Sequence, residues 1–260
     1  MPPFPALFLS HGAPTLIIED GPARRFLAGY GARLGRPSAI LVASAHWEEP
    51  VATVSTAERP ETIHDFYGFP PELYSLRYPA PGAPAVAEQA ASLIEAAGLP
   101  VLRDADRGLD HGAWVPLSLM YAQADIPVAQ VSLLRSGGPD AHLKLGAALR
   151  PLRDQGVLIL GSGSTTHNLA AFRGFNPDAP APAWVTGFAD WVHGAATAGR
   201  TADLLDYRNR APYGRENHPT EEHLLPFFVA LGSADPGTQP ERVHASTSHG
   251  ILAMDVYAFA

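Results

Sequence analysis

Two short apolar runs, residues 6–9 and 39–43, carry hydrophobic side chains at consecutive positions with no helical stripe. Each leads within a few residues to a histidine, His11 and His46. Because successive side chains of a strand point to opposite faces, a run apolar at every position suits a strand buried on both sides. A third run, Val157-Leu158-Ile159-Leu160, enters the small-residue turn Gly161-Ser162-Gly163-Ser164 and then reaches His167. Alternation predicts further strands over 51–55 and 126–134. Helical spacing predicts helices over 21–34, stopped by Gly35 and Pro37, over 85–97, closed by Gly98, and over 115–121 with His111 near its start. Further helices are predicted over 141–153, 183–198 and 201–207, and one more opens at 219–223 with Thr220 as its N-cap and Glu221 and Glu222 in the first turn. Residues 242–259 read as a strand pair broken near His249-Gly250. Residues 58–84 form a long irregular stretch rich in proline and aromatics, expected to border a substrate.

This succession predicts an α/β fold: a single domain over residues 1–260, with a mixed, mainly parallel central sheet flanked by helices. The opening strand, helix and strand favour a parallel pair joined by a right-handed crossover. Ligands collect at the carboxyl ends of strands in such sheets, so His11 and His46 can lie side by side there and begin a metal site. Neutral imidazole suits iron, zinc, copper and nickel, whereas magnesium and calcium want oxygen.

Composition narrows the chemistry. The 260 residues contain no cysteine, which excludes disulfides, thiolate ligands and a cysteine nucleophile. A formal charge of −8 without a basic cluster argues against nucleic acid or an anionic membrane as partner. Met1-Pro2-Pro3-Phe4-Pro5 has neither the basic start nor the apolar stretch of a leader, so a cytoplasmic location is expected. No HExxH pair, phosphate-binding GxxxxGK[ST] loop, complete dinucleotide turn or Gly-x-Ser-x-Gly elbow is present. Of the eleven histidines, His142 and His193 fall in amphipathic helical segments and are expected to face solvent; His244, on a terminal strand, is expected to be structural. His218 and His249, beside proline and glycine turns, stay undecided.

Six separated segments together resemble a known family: Ser10-His11-Gly12-Ala13-Pro14, Ser44-Ala45-His46-Trp47, Thr62 through Pro70, Asp110-His111-Gly112-Ala113-Trp114, His167-Asn168-Leu169 and Glu222-His223-Leu224-Leu225-Pro226. They are similar to the class III extradiol ring-cleaving dioxygenases, in particular the branch of DOPA 4,5-dioxygenase-like proteins. The resemblance implies that His11, His46 and His223 ligate a metal, and that His167 is either a fourth ligand or an acid/base group. It places His111 in the substrate pocket as a catalytic proton-transfer residue, with His64, Tyr67 and Phe69 at the substrate. Protocatechuate-cleaving relatives use two histidines and a glutamate. Here His223 is preferred to the adjacent Glu222, because neighbours on a helix do not share a face.

The implied reaction inserts O2 into a catechol beside its hydroxyls and gives a muconic semialdehyde. Fe(II) is the expected working metal, and Zn(II) is the alternative occupant of the isolated protein. A zinc hydrolase and a non-catalytic metal-binding protein are the rival readings. Whether the chain works as a monomer or a small homo-oligomer stays open.

Overall fold

A computed structural model of the chain describes residues 3–174, 176 and 178–260; Met1 and Pro2 of the N-terminal stretch considered above lie outside them. In chain order the strands are β1 (Ala6–Ser10), β2 (Ala39–Glu49), β3 (Ala52–Ser55), β4 (Val101–Asp104), β5 (Val128–Leu134), β6 (Val157–Gly163), β7 (Glu241–His244), β8 (Thr247–Ser248), β9 (Leu252–Ala253) and β10 (Val256–Phe259). The helices are α1 (Pro22–Leu34), α2 (Pro84–Ala96), α3 (His111–Met120), α4 (Gly138–Leu149), α5 (Ala183–Thr197), α6 (Thr201–Leu205), α7 (Tyr207–Arg210), α8 (Gly214–Asn217) and α9 (Leu225–Gly232).

One sheet of eight strands runs in the order β4-β3-β5-β2-β6-β1-β10-β7. Its centre is parallel: β6 pairs with β1 on one side and β2 on the other, and β2 also pairs with β5. The expected parallel relation of β1 and β2 therefore holds, but β6 lies between them. Antiparallel β10 and β7 extend one edge; β3 joins β5 antiparallel and carries β4 at the other.

The apolar runs have the predicted cause. Leu7 and Leu9, Ile40 and Val42, and Leu158 and Leu160 face a layer that contains α1 and α3. The intervening Ala6 and Phe8, Leu41 and Ala43, and Val157 and Ile159 face a layer containing α2, α4, α5 and α9. Fully burying one such aliphatic side chain contributes about 1.5–3 kcal/mol, so a strand apolar on both faces is anchored from both layers.

Three local expectations are corrected. The segment at Thr220 is a turn, not a helix start: Thr220 Oγ1 donates to Glu222 Oε1 at 3.0 Å, and α9 begins only at Leu225. His142 is fully buried rather than solvent-facing, whereas His193 is half-buried, with its ring 6.2 Å from Tyr257. The His142 ring bridges two elements, with Nδ1 donating to Gly138 O at 2.6 Å and Nε2 accepting from Leu134 N at 3.0 Å. The terminal segment contains four short strands, and the expected break at His249-Gly250 is a left-handed turn, with φ of 53° and 71°.

Candidate active site

Parallel β1, β6 and β2 end at the same edge of the sheet, which brings together His11, just past β1, His46 in the outer part of β2, and His167 beyond β6. The β2 register against β5 shifts between Ala43 and Glu48. Such an irregularity re-aims the residues inside it, and His46 is one of them. Asp110 caps α3, accepting from Ala113 N at 3.2 Å, and also accepts from Ser44 Oγ at 2.6 Å. The helix that opens with His111 is thereby tied to the strand that carries His46. His223 lies in the turn before α9, where its carbonyl oxygen accepts from Ser164 N at 2.7 Å. This approach requires glycine at 163, since a Cβ there would sit 2.1 Å from that oxygen.

His11, His46 and His223 each place a ring nitrogen within 4.8 Å of the others. Their protonation can be read from their partners. Ser162 Oγ donates to Gly112 O, so its oxygen can only accept from His11 Nδ1 at 3.0 Å. That leaves His11 Nε2 as a lone pair, 3.0 Å from His46 Nε2. His223 Nδ1 donates to Glu222 Oε1 at 2.9 Å, and its Nε2 is buried without a hydrogen-bond partner. Burial, and then the neighbouring imidazoles, hold His11 and His223 well below the usual histidine value; burial followed by His111 brings His46 down to about 3 against the opposing pull of Asp65.

Three neutral imidazoles, two of them buried and the third largely so, with nitrogens this close suit a shared cation. Metal–nitrogen bonds of about 2.0–2.1 Å at tetrahedral angles put ligand nitrogens about 3.3 Å apart. The carboxylate and hydroxyl on the far nitrogens fix ring orientation and tautomer, as the outer partners of metal-binding histidines do. The residues present therefore fit a metal.

His111 adjoins this group, its ring centroid 3.9 Å from that of His46. Asp65 fixes it twice: Oδ1 accepts from the His111 amide at 2.9 Å and Oδ2 from Nδ1 at 3.0 Å. Burial pushes the Asp65 carboxyl up, but the hydrogen bonds and charge of His111 outweigh it and bring it down to about 2. His167 lies flat on His223, centroids 3.4 Å apart and planes 7° from parallel. Its nitrogen groups with Glu222 and His223, not with His11 and His46. Burial lowers His167 to about 4.

The five histidines open onto a cavity of about 240 Å³ walled by Ala13, Pro14, Phe66, Phe69, Leu169 and Leu252. Of the residues expected at a substrate, Phe69 and His111 line it. His64 does not: its Nε2 donates to Leu76 O at 3.1 Å, and its ring lies among Phe66, Tyr74 and Trp114. Tyr67 is 92% exposed and also lies off the lining. His218 is buried, with Nε2 donating to Thr165 O at 2.9 Å, and His249 faces Glu19 Oε2 at 3.3 Å. A larger open cleft of about 590 Å³ lies beyond Glu222, but no histidine lines it. Sequence reasoning assigned no role to Asp65 or Ser162 and set Glu222 aside; the His64-Asp65 pair and the small-residue turn held the only local signals.

A buried sheet edge holding this histidine cluster at the floor of an apolar cavity defines a class that comparison with known families identifies. The family model for the catalytic LigB subunit of aromatic ring-opening dioxygenase matches residues 5–259, and the chain belongs to that family. It is an extradiol ring-opening oxidoreductase. More particularly, it is 43% identical over 258 residues to a Beta vulgaris protein named 4,5-DOPA dioxygenase extradiol, covering 97% of this chain and 95% of that one. It is 40% identical over 240 residues to the Escherichia coli K12 protein of the same name, covering 91% and 87% of the two chains. The crystal structure of an uncharacterized Escherichia coli K12 protein superposes with a TM-score of 0.84 at 34% identity, covering 99% of this chain and 100% of that one.

Proposed function

We propose that this protein opens a catechol ring beside its two hydroxyls, inserting both atoms of O2 to give a muconic semialdehyde, with Fe(II) held by His11, His46 and His223. The names of its relatives support DOPA or another substituted catechol as substrate. The observation that carries this reading is the convergence of three neutral imidazoles, with His11 and His46 nitrogens 3.0 Å apart and His223 Nε2 partnerless, at the floor of an apolar cavity. When bound, the ion supplies a template for diol and oxygen and lowers the pKa of a coordinated hydroxyl. An all-nitrogen site also accepts Zn(II), the alternative occupant of the isolated protein.

The remaining groups divide the proton traffic. His111, with Nδ1 engaged by Asp65, keeps Nε2 as its acceptor and takes a substrate hydroxyl proton. His167, stacked on His223 and grouped away from His11 and His46, acts as a second acid/base group in preference to a fourth ligand. Phe66 and Phe69 cover the ring faces and keep water from the reacting atoms.

Anaerobic Fe(II) loading followed by oxygen uptake with DOPA, caffeate and 4-methylcatechol tests the proposal. One O2 consumed per ring-opened product is expected. No ring-opened product from any of the three contradicts it, and hydrolytic turnover without oxygen uptake points to a zinc hydrolase instead.

A further inference from the structure

The cavity above the histidines is lined by hydrophobic side chains, by imidazoles and by a single carboxylate, that of Asp65. Neither lysine nor arginine is among its lining residues. The arginines on the flanking loops are engaged elsewhere: Arg77 donates to Tyr74 O and Leu76 O, and Arg173 to Ala170 O and Phe172 O. Asp65 is turned toward the histidines, each of its oxygens accepting from His111, and as an acceptor it offers nothing to a substrate carboxylate. A second carboxylate, Glu222, stands behind His223 and His167.

We infer that the site discriminates by charge at the ring substituent: it takes catechols whose substituent near the ring is uncharged and rejects those with a carboxylate attached directly to the ring. The inference rests on the catechol reading above and adds the substrate class. With the diol turned toward the histidines, a carboxylate on the opposite side of the ring would lie against the apolar walls of Pro14, Phe66, Phe69 and Leu252, with no lysine or arginine in the lining to pair it; burying an unpaired charge in such a place is costly. A charged group at the end of a longer side chain escapes this penalty, because the wall formed by Leu169 is 61% exposed and opens to water. The cavity volume of about 240 Å³ matches this picture, since it falls below the usual range for drug-sized ligands and holds a single ring with its substituent directed outward.

The comparison that isolates charge is between 3,4-dihydroxybenzoate and 3,4-dihydroxybenzamide, which share shape, diol and an electron-withdrawing group. Calorimetric titration of the Zn(II)-loaded protein, which does not turn over, should give at least tenfold tighter binding of the amide. A Leu169→Arg variant, altered at an exposed position, should shift the ratio at least threefold towards the carboxylate. Equal or tighter binding of the carboxylate by the unaltered protein overturns the inference while leaving the dioxygenase reading intact. Binding of neither diol overturns both.

Discussion

Replacement of Ser162 by alanine tests whether the orientation of His11 is set by a hydroxyl from a distant strand. The oxygen of Ser162 accepts from His11 Nδ1 at 3.0 Å and its proton goes to Gly112 O, all in a fully buried place. Alanine leaves both partners without a bond. An unsatisfied buried group costs about 1–3 kcal/mol, so with two such groups Ser162→Ala should destabilise the fold by about 2–6 kcal/mol. The released imidazole can also turn or place its proton on Nε2, the nitrogen that would meet the ion. Loss of such an outer partner lowers metal affinity about 10–100-fold, equivalent to about 1.4–2.7 kcal/mol. Competition with a chromophoric chelator for Zn(II), run on folded protein well below its melting temperature, measures this directly. A dissociation constant within about twofold of the parent protein would refute the assigned role of Ser162.

Other substitutions probe different links. Gly163→Ala forces a Cβ to within 2.1 Å of His223 O, so it should displace that turn, cost about 1–3 kcal/mol in urea unfolding and weaken metal retention; an unperturbed metal affinity would show that the turn does not position His223. Asp65→Asn removes the carboxylate that holds the His111 proton on Nδ1 and lies 3.5 Å from His46 Nδ1, and kcat per bound metal should fall about 100-fold; an unchanged kcat would remove His111 and Asp65 from proton transfer. His142 is neutral in the fold, its value lowered by burial to about 4 from the ordinary 6.5. Its contribution is fully present above about pH 6.5 and is lost as pH falls towards 4, because the unfolded chain binds the proton first; the total is about 3 kcal/mol. Urea unfolding at pH 7.5 and 4.5 should show that a His142→Gln variant has correspondingly less acid sensitivity, and an identical loss in both proteins would contradict the assignment.

What could be read from the sequence follows from the range of the forces involved. β1, β2 and β6 were legible because burial between two helical layers demands apolar residues at every position, and the histidines at their ends stood out against that background. Edge strand β4 was not, since Val101-Leu102-Arg103-Asp104 is short, partly exposed and half polar. Thr220-Glu221-Glu222 has the composition of a helix start, yet the chain turns there to deliver His223 and lets Leu225 and Pro226 open α9. The preference for His223 over Glu222 therefore loses its helical rationale: the two side chains hydrogen-bond to each other. His142 looked like a surface residue by spacing, but the backbone groups of Leu134 and Gly138 receive its ring. Ser162 and His11 are 151 residues apart, and no local pattern announces a contact of that range.

One cation shared by three imidazoles is what the proposed chemistry requires. Diffraction at the metal absorption edge from crystals loaded anaerobically with Fe(II) tests it most directly: a single anomalous peak should lie about 2.0–2.2 Å from Nε2 of His11, His46 and His223. A peak bound elsewhere, or one that survives in a His46→Ala variant with full occupancy, would contradict it.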